Sequence, residues 1–288
     1  MKKNLKLAIQ KKGRLSEKSM QMLRNCGLDI ENFQERLIVS AANFNLDILF
    51  LRDDDIPEYV QENVAHIGIV GENVVLEKGL DVKIVKKLGF GRCSLSLGIP
   101  EKSEINSAGD LNDKTIATSY PNILKDYLNK NNVKAKVIEL SGSVEIAPSL
   151  GVADYICDLV STGNTLKLNK LKKSFKVLDS QAVLIKSKYL DDDPELKVLF
   201  DKLVDRIESS LKAKKSKYIM MNIPKESLNK IVEIIPSLKS PTILPLSDEN
   251  LLAVHAVISE DKFWEINEDL KKAGASGILS LPIENIIL

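Results

Sequence analysis

The stretch DYICDLVSTGNTLKL, residues 154–168, places an apolar run, a polar loop and the start of a helix in direct succession. YICDLV predicts a buried strand, and the hydroxyl and glycine residues after it predict a turn that leads into TLKL as a helix. Asp158 lies near the end of the strand, where ligands approach an open α/β sheet. The stretch therefore predicts an α/β unit with a binding loop at one edge of its sheet.

The loop has the composition of an anion site. Its residues, which we call the phosphate loop, are Ser161, Thr162, Gly163, Asn164 and Thr165. A glycine among hydroxyl residues at a helix start lets backbone N–H groups turn outward, where the helix dipole favours a phosphate. The carboxylate of Asp158 can accept hydrogen bonds from sugar hydroxyls, so a ribose phosphate is indicated. A turn that only caps the helix explains the same residues, and the loop alone leaves both interpretations open.

A second junction of the same kind precedes the first in the chain. Glu139 ends the apolar run AKVIEL, and Ser141, Gly142 and Ser143 follow it. This turn would supply a second carboxylate and a second set of outward amides.

Composition sets the class of protein. The chain has 288 residues, about two domains' worth, and 44% of them are hydrophobic, which is enough for a sizeable core. A formal net charge of +1 gives no global attraction to nucleic acid or to an anionic membrane. Cys26, Cys93 and Cys157 are widely spaced and have no histidine nearby, so they are predicted to be reduced structural thiols rather than metal ligands.

The opening residues MKKNLKLAIQ resemble a leader only in their first lysines. The apolar run is broken by Lys6 and Gln10, and no small-residue cleavage site follows. No apolar stretch reaches the roughly 18 residues that a membrane-spanning helix needs. The expected location is the cytoplasm.

The chain predicts three structural regions. Residues 1–93 alternate short apolar runs with helical segments, the first helix capped by Ser16, and residues 94–179 do so again. A long helix is predicted after Asp193, with Pro194 in its first turn. The basic stretch KAKKSK at 212–217 is either a linker or the last turn of that helix. Beyond it the pattern is βαββαβ, the order of a ferredoxin-like domain.

Several motifs in one order carry a resemblance to a known family. They are AIQKKGRLS at 8–16, RDDDIPEYV at 52–60, IGIVGEN at 67–73, IATSYPN at 116–122, PTILPL at 241–246 and GASGILSLPIE at 274–284. Together with the phosphate loop they resemble ATP phosphoribosyltransferase of the long, self-regulated form, over essentially the whole chain.

The resemblance implies a fold and a reaction. The fold is two periplasmic-binding-protein-like lobes around a catalytic cleft, residues 1–93 with 180–215 and residues 94–179, plus a ferredoxin-like regulatory domain at 216–288. The residue pattern alone does not predict the return to the first lobe. The reaction is attack of adenine N1 of ATP on C1 of phosphoribosyl pyrophosphate, giving phosphoribosyl-ATP and pyrophosphate with Mg²⁺. This is the first step of histidine biosynthesis, and dimers that assemble into hexamers and inhibition by histidine are implied as well.

The resemblance also assigns residues, although it leaves the metal ligands unknown. The phosphoribosyl pyrophosphate set is Glu139, Asp158 and the phosphate loop. The ATP set is Lys11, Arg14, Arg52, Gly71, Glu72, Asn73 and Tyr120. The histidine set is Thr242, Leu244, His255, Ala275 and Ser276.

Each set has a plainer alternative. Lys11 and Arg14 fit a solvated basic turn, Arg52 fits an ion pair with the aspartates at 53–55, and Tyr120 fits a residue packed beneath the base. His255 fits a half-exposed strand residue, and His66 is expected to be structural. For the whole chain, the rivals are a solute receptor that catalyses nothing and a regulatory relative without a working phosphate loop. The missing leader argues against the first, and the intact DLVSTGNTL argues against the second.

Overall fold

The computed structural model describes residues 3–31, 36–160 and 163–287. The chain divides into two units, residues 1–21 with 29–199 and residues 22–28 with 200–288. The first unit contains two sheets and the second contains one. Among the described helices, none combines the length and the apolar character that crossing a membrane requires.

The first sheet has six strands. In spatial order they are β2 (Ile38–Ser40), β3 (Leu46–Leu51), β1 (Leu5–Gln10), β4 (Ile67–Gly71), β11 (Ala182–Ser187) and β5 (Val82–Lys87). β1 is parallel to β3 and β4, whereas β11 is antiparallel to β4 and β5. Its helices are α1 (Arg14–Asn25), α2 (Ile56–Gln61) and α3 (Glu72–Lys78). Central strands buried on both faces need nearly continuous apolar sequence, which LKLAI and IGIV provide.

The second sheet has five strands. In spatial order they are β10 (Leu171–Ser180), β6 (Cys93–Pro100), β9 (Tyr155–Val160), β7 (Thr115–Thr118) and β8 (Lys136–Glu139). β7 is parallel to β8 and β9, and β6 is antiparallel to both of its neighbours. Helix α4 (Pro121–Lys130) packs Leu124 and Leu128 on one face, and α5 (Asn164–Leu168) packs Leu166 on the other.

The chain leaves the first sheet after β5, builds the whole second sheet, and returns from β10 into β11. We call the part built on the first sheet the first lobe and the part built on the second sheet the second lobe. The predicted pair of α/β lobes is therefore confirmed. The boundaries predicted at 93/94 and 179/180 remain predictions.

Helix α6 (Pro194–Lys214) starts as predicted. One carboxylate oxygen of Asp193 accepts the N–H groups of Glu195 at 3.1 Å and Leu196 at 3.3 Å, which satisfies two donors of the first turn. The helix continues to Lys214, and the next strand begins at Ser216. The basic stretch at 212–217 thus ends the helix at Lys214 and begins the next strand at Ser216, and the linker interpretation is wrong.

The carboxy-terminal sheet has four strands, all antiparallel to their neighbours. The elements in chain order are β12 (Ser216–Pro224), α7 (Leu228–Ile234), β13 (Thr242–Pro245), β14 (Leu251–Ser259), α8 (Glu260–Lys272) and β15 (Ser276–Pro282). The spatial order β13–β14–β12–β15 confirms the ferredoxin-like plan. Ile219, Met221 and Val254 pack with residues of α7 and α8 on one face, and we call the opposite face the open face.

One helix start differs from the prediction. Ser16 was expected to cap α1, yet the helix begins at Arg14 and Ser16 lies buried inside its first turn. Gly13 has φ +100°, and its carbonyl already accepts the N–H of Glu17 at 3.2 Å. The glycine makes the turn into the helix, so no serine cap is needed.

Candidate functional site

Two predicted carboxylates lie at the same edge of the second sheet. Thr118 at the end of β7 stands opposite Glu139 on β8 and opposite Cys157 on β9, one residue before Asp158. Because these three strands are parallel, their carboxyl ends meet at one edge, and strands two apart are separated by about 10 Å. Glu139 is exposed and Asp158 is half-buried. The end of β7, with Thr118, lies between the two carboxylates.

The carboxyl group of Asp158 is held in a partly desolvated position. Its Oδ1 accepts the N–H of Leu159 at 2.7 Å. Burial raises its pKa above the usual 3.8, and the negative charge of Glu145 raises it further. A ligand that donates hydrogen bonds would replace the lost water around this carboxylate.

Beside Asp158 lies a polar row that sequence reasoning missed. Ser96 stands opposite Asp158 on β6, its hydroxyl lies 3.1 Å from that of Ser94, and Lys173 Nζ of β10 donates to Ser94 Oγ at 2.9 Å. Both serines are buried. The alternation of CSLSLGIP was the available signal, because it places two hydroxyls on one face of a strand.

The phosphate loop is described only in part, since Ser161 and Thr162 lie outside the described residues. Gly163 has φ +79° and precedes α5, whose first residues, Asn164 and Thr165, are exposed. A left-handed residue at this position favours glycine, as the sequence has it.

Helix α5 lies very close to the sheet because β6 has a glycine beneath it. A Cβ on Gly98 would stand 2.8 Å from Ile156 Cγ1 and 3.0 Å from Leu166 Cδ2. Real Cβ atoms essentially never approach another heavy atom more closely than 3.0 Å, so a side chain here would require its neighbours to move. Gly98 thus sets the height of α5, and of the loop that enters it, above the sheet.

The second junction has a similar backbone. Ser141, Gly142 and Ser143 are all exposed, and Ser143 has φ +51°. The preceding residue is fixed to the end of β7, because Leu140 N–H donates to Thr118 O at 2.9 Å and Ser119 Oγ donates to Leu140 O at 2.6 Å. The turn is therefore anchored at the edge that carries Glu139.

Tyr120 lies near polar groups of both lobes. Its hydroxyl lies close enough to the Asn73 side chain of the first lobe for that amide to lower the pKa of Tyr120. Burial raises the pKa of Tyr120, and the negative charges of Asp158, Asp54 and Asp53 raise it further, in that order. Tyr120 also packs against the core of the second lobe, so it is both a packing residue and a polar group of the site.

Two hydrogen bonds with Ser180 hold Asn73 in place near Tyr120. Ser180 Oγ donates to Asn73 Oδ1 at 2.7 Å and accepts the Asn73 N–H at 3.1 Å. Gly71 allows this arrangement, since a Cβ there would stand 2.5 Å from Asn73 Oδ1. Glu72 lies apart from this group, because Lys87 Nζ binds its Oε1 at 2.9 Å. Of the three residues predicted from GEN, Asn73 thus lies near Tyr120, Gly71 leaves room for the Asn73 side chain, and Glu72 is engaged in an ion pair.

The predicted cations lie at the edge of the first sheet. Gln10 and Leu51 are paired in register at the ends of β1 and β3, and Lys11 and Arg52 are the next residues. Lys11, Arg14 and Arg52 are exposed. No ion pair joins Arg52 to the aspartates at 53–55 in the described part of the chain. The pKa of Asp53 is raised, first by burial and then by Asp54.

The predicted histidine set divides between the two faces of the carboxy-terminal sheet. Thr242 pairs with His255, whose Nδ1 lies 2.7 Å from the Tyr218 hydroxyl on the open face. Leu244 pairs with Ala253, and Ala253 with Asn222, whose other neighbour is Ser276. Four of the five residues therefore lie in two adjacent rows of the sheet. Ala275 is buried in the core beneath the helices.

The remaining histidine is structural, as expected. His66 Nδ1 accepts the N–H of Lys6 at 2.9 Å, and its carbonyl accepts the N–H of Ser187 at 2.9 Å. Burial lowers its pKa from the usual 6.5. Within residues 3–31, 36–160 and 163–287, no three His, Cys, Asp or Glu side chains are grouped to hold a metal ion.

Family models match most of the chain. The model described as ATP phosphoribosyltransferase matches residues 52–209, and the model described as HisG, C-terminal domain, matches residues 213–285. The two matches together cover both lobes from Arg52 onward and the ferredoxin-like domain.

Two ATP phosphoribosyltransferases are similar to this chain over nearly its full length, and one solved structure is similar to most of it. The ATP phosphoribosyltransferase of Cytophaga hutchinsonii is 49% identical over 283 residues, covering 98% of each chain. That of Parabacteroides distasonis is 47% identical over 284 residues, covering 99% of this chain and all of that protein. Among solved structures, the ATP phosphoribosyl transferase (HisG:HisZ) complex from Thermotoga maritima has a chain 30% identical, with a TM-score of 0.58, covering 71% of this chain and 98% of that one.

Proposed function

Since this chain belongs to the ATP phosphoribosyltransferase family and so serves the first step of histidine biosynthesis, we propose that it joins ATP to phosphoribosyl pyrophosphate where its two lobes face each other. The second lobe binds the pentose and its 5-phosphate with Asp158, Glu139 and the phosphate loop. The first lobe and Tyr120 bind ATP. The observation that supports this division is the position of Tyr120, which follows β7 at the sheet edge that carries Asp158 and lies near the Asn73 side chain of the first lobe.

The chemistry follows from what these residues can do. Displacement at an anomeric carbon develops positive charge on the sugar ring, as in glycoside hydrolysis. The carboxylate of Asp158, partly desolvated and directed by the N–H of Leu159, accepts hydrogen bonds from ribose hydroxyls and favours that charge. Adenine N1 is itself the nucleophile, so the protein contributes orientation more than covalent chemistry.

The departing pyrophosphate needs positive charge. Lys11, Arg14 and Arg52 are exposed at the facing edge of the first sheet and can contact phosphate oxygens. Mg²⁺ prefers oxygen ligands and takes one or two carboxylates together with substrate phosphates. The donor set fits that mode, with Asp158 as the protein ligand and the phosphates of the substrate as the others. When bound, the ion neutralises charge on the leaving group.

The direct test is product formation. Purified protein with ATP, phosphoribosyl pyrophosphate and MgCl₂ is expected to form phosphoribosyl-ATP, followed by absorbance and by chromatography, and EDTA should stop it. No product under these conditions would contradict the proposal. Binding of either substrate without turnover would favour the solute-receptor alternative.

The phosphate loop has its own test. Thr162→Ala removes one hydroxyl that the loop would direct at the 5-phosphate, so KM for phosphoribosyl pyrophosphate should rise about tenfold while KM for ATP stays constant. Lys262→Ala, on helix α8 of the carboxy-terminal domain, is the matched control. An unchanged KM for phosphoribosyl pyrophosphate would show that the loop is assigned wrongly.

We also propose that histidine inhibits the enzyme by binding the open face of the carboxy-terminal sheet. Thr242, His255 and Ser276 offer hydroxyl and imidazole groups there, and Leu244 offers an apolar contact. Deleting residues 217–288 should relieve inhibition if the remainder folds. His255→Ala in the full chain avoids that condition, and it should weaken inhibition about tenfold without changing the uninhibited kcat. Persistent inhibition in both variants would place the effector elsewhere.

A further inference from the structure

Helix α4 of the second lobe begins without a cap of its own. Its N-cap position is Tyr120, which makes no side-chain hydrogen bond to the helix start, and Pro121 follows. The first N–H groups of a helix have no partner within the helix and need an acceptor from elsewhere. In most helices a serine, threonine or aspartate just before the helix provides it, as Asp193 does for α6.

The acceptor for α4 comes from the first lobe. Glu77 on α3 receives the N–H of Asn122 on Oε1 at 2.9 Å and the N–H of Ile123 on Oε2 at 3.0 Å. Both carboxylate oxygens are therefore occupied by the start of α4. A negative charge is favourable at this position, because the helix dipole makes the N-terminal end positive.

A third hydrogen bond from the start of α4 serves the end of α3. Asn122 Nδ2 donates to the carbonyl of Glu77 at 2.9 Å, and this carbonyl belongs to the last turn of α3. Carbonyls of a last turn likewise lack partners within the helix. Each helix end thus completes the hydrogen bonding of the other, across two sheets.

This contact lies next to the proposed ATP site. Asn73 and Glu77 are four residues apart on α3, so their side chains share one face of the helix. Asn73 lies near the hydroxyl of Tyr120, while Glu77 accepts the N–H groups of Asn122 and Ile123, which follow Tyr120 in the chain. The same helix face therefore meets the Tyr120 side chain and fixes the backbone that carries it.

We propose that Glu77 is a positioning residue for the ATP site: by binding the start of α4 it holds Tyr120 against Asn73. The role rests on the proposed function, since it matters only if Tyr120 contacts ATP. Glu77 itself need not touch either substrate. Its loss should therefore weaken ATP binding and leave the site for phosphoribosyl pyrophosphate intact.

The experiment compares E77A and E77Q with wild type and with E58Q. Glu58 is a suitable control because its carboxylate pairs with Lys78 of the same helix α3 at 3.1 Å and stays within the first lobe. We expect KM for ATP to rise about tenfold in E77A and less in E77Q, which keeps one acceptor oxygen. KM for phosphoribosyl pyrophosphate and kcat should stay within about twofold, and E58Q should match wild type.

Two further measurements separate positioning from a general loss of structure. Amide hydrogen exchange of Asn122 and Ile123 should quicken in E77Q and not in E58Q. The double variant E77Q/Y120F should raise KM for ATP by less than the product of the two single effects. Fully multiplicative effects, or an unchanged KM for ATP in E77A, would contradict the positioning role. An inactive wild type would instead contradict the proposed function.

Discussion

Gly98→Ala should show whether Gly98 sets the position of α5, in addition to its contribution to the stability of the fold. The new Cβ would fall short of an ordinary 3.4 Å contact by 0.6 Å at Ile156 Cγ1 and by 0.4 Å at Leu166 Cδ2. Ile156 lies on the neighbouring strand β9 and Leu166 on α5, so relief requires a small shift of Ile156 within the sheet and an outward displacement of Leu166, which should move α5 by up to roughly 0.4 Å. Overpacking of this kind costs about 1–3 kcal/mol, which corresponds to a fall in Tm of roughly 2–10 °C for a domain of this size.

The kinetic effect follows from the same displacement. The phosphate loop enters α5, and a misplacement of 1 Å can cost about 100-fold in rate, so a shift of up to roughly 0.4 Å should raise KM for phosphoribosyl pyrophosphate by up to about tenfold. Gly68→Ala is the matched control, because its Cβ would lie 2.7 Å from Ile56 Cγ2 in the core of the first lobe. Thermal denaturation and steady-state kinetics on both variants decide the matter. If Gly98→Ala and Gly68→Ala lower Tm equally and have the same KM for phosphoribosyl pyrophosphate, the reasoning is refuted.

The remaining predictions concern titrating groups. Burial raises the pKa of Asp158 above 3.8, so its contribution to stability is complete below that pH and is lost as pH rises through the folded-state pKa. Asp158→Asn should therefore be more stable than wild type at pH 7 in urea titrations and equal to it near pH 3, while kcat/KM falls about 10- to 100-fold; a less stable variant at pH 7 would contradict this. Burial lowers the pKa of His66 from 6.5, so its contribution is present above pH 6.5 and is lost as pH falls through the folded-state pKa. His66→Gln should lose about 1 kcal/mol at pH 7 and depend less on pH between 7 and 5, and an unchanged pH dependence would argue against His66 as the titrating group.

Much of the architecture could be predicted because periodicity and turn residues agree with the final packing. The ferredoxin-like order follows directly from the apolar pattern of residues 216–288, and the strand before Asp158 follows from YICDLV. Strands β5 and β6 were not predicted. VKIVKK carries three lysines, and β6 alternates serine with leucine because one of its faces meets polar side chains. Tertiary pairing, which no local pattern contains, makes both of them strands.

The candidate site was predictable to the extent that its residues follow strand ends. Glu139 is the last residue of β8, Asp158 lies two residues before the end of β9, and Asn73 comes two residues after the end of β4. Glu77 and Ser180 could not be predicted in this way, because each acquires its role only through a contact with a distant segment, 45 and 107 residues away. A half-buried glutamate in the last turn of a helix carries no local sign in the sequence that it caps another helix.

The way the second lobe is joined to the first has a consequence for engineering. The connection enters after β5 and leaves before β11, two neighbouring strands, with Leu88 N–H bonded to Ala182 O and Ala182 N–H bonded to Phe90 O, both at 2.9 Å. Entry and exit thus lie side by side, like the two ends of an insertion in a host sheet. A short turn could replace the whole excursion without separating the flanking strands, and any swing of the excursion must pivot on these few residues.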